Sequence, residues 1–81
     1  MFYKTIAARL ARAGWTITDE SHGTPGEWGR LIPHYVEFSD NIGNTVSIAA
    51  DHTKNGNPGR VMRIWVNGAS CDLPTIQQNH Q

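Results

Sequence analysis

Apolar and polar positions change rhythm once along this chain. From Phe2 to Ala13 the spacing is helical: Phe2, Tyr3, Ile6, Ala7, Leu10 and Ala13 fall on one side of a helical wheel, and Lys4, Thr5, Ala8, Arg9 and Arg12 on the other. The pattern predicts an amphipathic helix with a basic outer face, and Gly14 suits its left-handed C-cap. At Trp15 the period drops to two. "WTITDES" predicts a first strand in which Trp15 and Ile17 alternate with Thr16 and Thr18. "LIPHYVEFS" places His34, Val36 and Phe38 on one face and Tyr35 and Glu37 on the other. "TVSIAAD" turns Val46, Ile48 and Ala50 the same way, and "RVMRIWVNG" adds Met62, Ile64 and Val66, with Val61, Arg63 and Trp65 facing away.

The breaks between these runs have turn chemistry. "DNIGN" and "HTKNGNPG" are rich in residues that tolerate positive φ, and each predicts a hairpin connection. "SHGTPGEWGRLIPHY" is broken by Gly23, Pro25, Gly26 and Gly29, which predicts a long loop over residues 21–30. In "ASCDLPTIQQNHQ", Leu73 and Ile76 mark a further short strand or turn before a polar end. The expected architecture is α+β: one N-terminal helix packed on a four-stranded antiparallel sheet, in the order α-β-β-β-β. It fills one small domain, residues 1–81, with residues 77–81 a frayed tail. The expected core is Ile6, Leu10, Trp15, Ile17, Val36, Phe38, Val46, Ile48, Met62, Ile64 and Val66.

Composition narrows the function classes. Seven Lys and Arg balance seven Asp and Glu, so the chain lacks the excess positive charge of a bulk electrostatic nucleic-acid binder. Cys71 is the only cysteine, which excludes an intrachain disulfide and suits a reducing, cytoplasmic setting. "MFYKTIAARLARAGW" has no apolar run leading to a small-residue cleavage site, and no stretch is apolar enough to span a membrane. A chain this short needs most of its large apolar side chains for its core, and homodimerisation would bury more.

Against that need, the second sheet face is over-furnished. Tyr35, Arg63 and Trp65 are expected there, with Trp28 and Arg30 from the loop at its edge. Tyr, Trp and Arg are the side chains that most often anchor protein interfaces. The competing expectation is that Trp28 and the tail fold over Trp65 into a second small core. Enzymatic and metal chemistry find less footing. His22, His34, His52, His80 and Cys71 show none of the short paired spacings of a metal site, so neither a metal nor another cofactor is expected. Ser21-His22 sits among glycines that preorganise poorly, Cys71 with Asp72 would have to draw on the distant His52 to act as more than an idle thiol, and "KNGNPGR" lacks the spacing of a phosphate loop.

"LARAGWTITDESH", a helix ending in an apolar-Gly-aromatic step and followed by a strand and a histidine, resembles the small HicA-type RNA-cleaving toxins of dsRBD-like fold. The resemblance covers about twenty residues and implies His22 as a catalytic base. The chain departs from that pattern: Glu20-Ser21 stand before His22 in place of a Gly-Ser/Thr step, the glycine loop follows, and no second helix is predicted. The sequence therefore points to a non-enzymatic interaction module that docks a larger protein assembly through Trp28, Arg30, Tyr35, Arg63 and Trp65. Its size class is that of phage- or mobile-element-type inhibitors such as anti-CRISPR proteins. The alternatives are a nucleic-acid-binding domain that stacks bases on the open sheet face and a small HicA-like RNase.

Overall fold

The computed structural model describes residues 1–24 and 32–71. Helix α1 (Tyr3–Arg12) precedes β1 (Thr16–Ser21), β2 (His34–Ser39), β3 (Thr45–His52), β4 (Pro58–Val66) and β5 (Ala69–Cys71). The strands form one antiparallel sheet in chain order, β1-β2-β3-β4-β5. The α+β class is as expected, but among the described residues the sheet has five strands where the sequence pattern predicts four. The fifth follows from Asn67-Gly68, the dipeptide that ends the run "RVMRIWVNG". With φ of 52° and 84° it closes a two-residue hairpin in which Val66 pairs with Ala69. The second of those angles suits glycine, which has no Cβ to clash.

α1 stops where the sequence says. The Gly14 N–H donates to the Ala11 carbonyl and the Trp15 N–H to the Leu10 carbonyl, the paired bonds of a Schellman motif. At the other end, the Val61 N–H donates to the Met1 carbonyl, and Phe2 bridges Arg60, so the helix starts from the margin of β4. α1 then crosses the inner sheet face, where Tyr3, Ile6, Ala7, Leu10 and Trp15 pack on Val36, Phe38, Val46, Ile48, Val61 and Ile64.

Of the expected core residues, Ile6, Leu10 and Trp15 are partly buried and three are exposed. Met62 is 48% exposed, whereas Val61, expected outside, is 2% exposed. The cause is a bulge: Ala49 pairs with Arg63 but Ala50 with Val61, so Met62 is an extra residue and the alternation of β4 inverts there. Ile17 faces inward opposite Phe38 but is half exposed, because β1 is an edge strand left uncovered by a helix that packs over β4. Val66, near the β4–β5 turn, is also exposed. Pairing also intrudes into the expected loop. Thr24 and Ile32 exchange both backbone hydrogen bonds, at 2.8 and 2.9 Å. Residues 25–31 between them, and the expected tail at 77–81, lie outside the described residues.

Candidate functional site

Antiparallel register decides which side chains share the outer face. One row across the sheet runs Ser21, Tyr35, Ala49, Arg63, and the next runs Asp19, Glu37, Ser47, Trp65. Tyr35, Arg63 and Trp65 therefore lie on the face away from α1, as their parity predicts. The small residues Ser47 and Ala49 on β3 let the two large rings approach over that strand. Tyr35 and Trp65 are 6.1 Å apart between ring centroids and tilted by 37°, within the range of favourable aromatic pairs. Beside them is a shallow groove of about 290 Å³ lined by Asp19, Ser21, Tyr35, Val36, Glu37, Ser47 and Trp65. Trp28 and Arg30, the other two residues expected at this surface, lie outside the described residues.

The charge on this face is divided. Asp19 and Glu37 line the groove on the β1–β2 side, and Arg63 stands on the β4 side. Thr18, the extra residue of a bulge in β1, directs its hydroxyl at the Glu37 carbonyl (3.4 Å), the Glu37 carboxylate (3.3 Å) and the Ser39 hydroxyl (3.2 Å). No ion pair joins Asp19, Glu37 or Arg63 to any described residue. Lys4, Arg9 and Arg12 are exposed on α1, on the opposite side of the layer.

A second group was not legible from spacing. Three of the four histidines meet at one end of the inner face. His34, the first residue of β2, is 2% exposed. Its ring lies 4.1 Å from that of His52, the last residue of β3, and 5.3 Å edge-to-face from that of His22, just past β1. Sequence spacing pairs none of these histidines, with His34 expected as a half-buried strand residue and the others in solvated loops; antiparallel pairing corrects this by bringing the end of β1, the start of β2 and the end of β3 side by side. The signal available in sequence was that each histidine stands at a strand terminus on that shared end. Among the described residues neither nitrogen of His34 meets a hydrogen-bond partner. Burial above all, then His52 and His22, hold its pKa below the ordinary histidine value, while the Gly56 carbonyl acts weakly the other way. His52 Nε2 stands 2.9 Å from the Ile32 carbonyl. A carbonyl only accepts, so this nitrogen carries the proton and Nδ1 keeps the lone pair. Among the described residues no three His, Cys, Asp or Glu side chains are placed to hold a metal ion.

Comparison with protein-family models, with curated proteins and with solved structures gives no match. No described helix is long and apolar enough to cross a membrane.

Proposed function

We propose that this protein is a non-enzymatic interaction module that docks a protein partner on its outer sheet face, with Tyr35 and Trp65 as anchors. The observation that carries this reading is the pairing of two large aromatic rings on a solvent-facing sheet surface, above a groove, in a domain whose core lies on the other side. Aromatic anchors in a groove dominate binding energy where they occur. The divided charge adds an orientation. A complementary partner segment presents a basic side chain towards Asp19 and Glu37 and an acidic one towards Arg63. The same two carboxylates repel phosphates, which favours a protein over a nucleic acid at this face. Engagement of a larger host assembly, as by phage-encoded inhibitors including anti-CRISPR proteins, is the biological form that suits the chain's size.

The test is affinity capture from the native host in parallel with wild type, Trp65→Ala and Arg63→Glu, each first shown to be folded by thermal melting. A partner retained by wild type and depleted at least tenfold by both variants supports the reading; a hot-spot residue is worth ~2 kcal/mol or more, roughly thirtyfold in affinity. A partner held equally by all three proteins, or lost only on charge reversal of Arg9 and Arg12, refutes it.

A further inference from the structure

We propose that His34, sealed between the rings of His22 and His52, works an acid-operated clamp: while its ring is uncharged the paired residues Thr24 and Ile32 stay against the end of the sheet, and when that ring takes up a proton their pairing is released. This inference does not depend on the outer face or on any partner.

The geometry supplies both halves. In the closed state the His34 ring contacts His22 edge-to-face and His52 at a tilt, and the Ile32 carbonyl accepts a hydrogen bond from His52. Gly23 brings the two backbones closer than any other residue would allow, since a Cβ there would strike the Ile32 and Pro33 carbonyl oxygens. The central ring is sealed, and both its nitrogens are without a hydrogen-bond partner among the described residues. A neutral imidazole tolerates that setting. An imidazolium there has two N–H donors that meet no hydrogen-bond acceptor among the described residues, only the Gly56 carbonyl favours its charge, and the ring of His52 lies 4.1 Å away.

Among the described residues no charged side chain offsets that cost. From β1 the acid on the inner face is Glu20, opposite Val36. From α1 comes Tyr3, whose hydroxyl is pushed up by burial and then by Glu20. On β3, Asp51 accepts the His52 backbone N–H. Lys54 lies in the β3–β4 turn, and Arg60 on β4 is exposed. Among the described residues, the charges that act on His34 are those of His52 and His22, both oppose its protonation, and no carboxylate counters them. The strain of charging therefore falls on the weakest attachment. His34 and His52 sit within paired strands, whereas His22 lies past the last β1 pair and is exposed. Residues 22–24 and 32–33 should open first.

Amide hydrogen exchange by NMR, expressed as protection corrected for intrinsic rates, tests this between pH 7.5 and 5.0. The expected result is that protection of the Thr24 and Ile32 amides falls as pH drops below about 6.5, by up to tenfold per pH unit for each proton taken up, while the Ile48 amide stays protected. In His34→Phe that pH dependence should vanish. His22→Gln, at an exposed position, serves if that variant fails to fold, and should give a shallower fall. Flat protection in wild type, loss in step with Ile48, or an unchanged pH dependence in the variants that fold would overturn the clamp.

Discussion

Truncating Val61 and Met62 separately should give costs opposite in rank to those that strict alternation along β4 implies. Val61 is 2% exposed and packs in the core; Met62 is the extra residue of the bulge and is 48% exposed. Val61→Ala removes two buried carbons, ~1.6 kcal/mol at roughly 0.8 per carbon, and a residual cavity raises this to about 2–3 kcal/mol. Met62→Ala removes a larger side chain, but half of it is already in water, so about 1 kcal/mol is an upper figure. In a domain of this size 1 kcal/mol moves Tm by roughly 4–8 °C. Val61→Ala should then melt about 10 °C or more below wild type, and Met62→Ala within a few degrees of it. Urea denaturation followed by tryptophan fluorescence gives the same comparison as free energies, with equal m-values as the check that only stability changed. If Met62→Ala proves the costlier of the two, the bulge is misplaced and the core described above is wrong along this strand.

Three further outcomes follow from the same structure. Gly23→Ala should destabilise by about 1–3 kcal/mol, because the added methyl meets backbone carbonyls of Ile32 and Pro33 that cannot swing aside; Thr24 and Ile32 amides that keep wild-type exchange would count against it. Gly68→Ala, at φ 84° in open space, should cost about 1–2 kcal/mol, with the amide signals of β5 most affected. Stability should fall on mild acidification. The lowered pKa of His34 means that the folded state binds fewer protons than the unfolded chain, so its contribution is complete above about pH 6.5 and is lost as pH drops towards the folded value. At ~1.4 kcal/mol per pH unit, the ceiling at pH 5 is about 2 kcal/mol per proton, and urea curves at pH 7.5 and 5.0 that coincide would contradict it.

Local pattern carried most of this architecture. The 3.6-residue rhythm with Gly14 behind it reads directly as α1 and its Schellman end, and "DNIGN" reads as the turn in which the Asp40 carboxylate accepts the Ile42 and Asn44 N–H groups. Parity alone set Tyr35 and Trp65 on the outer face. Parity fails where the backbone inserts a residue, and nothing in "RVMRIWV" distinguishes a bulge at Met62 from regular alternation. Ile17 was misjudged because burial on an edge strand depends on where the helix lands, a tertiary fact. The imidazole row was invisible for a related reason. Its members are separated by 12 and 18 residues in the chain (34 − 22 and 52 − 34), and only the register of three strands brings them within ring contact.

Every residue of β1 is exposed, and its free edge carries consecutive acids, Asp19 and Glu20, next to the bulge at Thr18. Such an edge is a poor template for a further strand: a second copy aligned along it would oppose carboxylates to carboxylates, and the bulge interrupts the ladder that the newcomer would need. At the other margin Met1, Phe2 and β5 already take up part of the hydrogen-bonding capacity of β4. The sheet is thus guarded against growing sideways into fibrils, and neutralising the acidic pair with Asp19→Asn and Glu20→Gln should shorten the lag time of aggregation in concentrated solution.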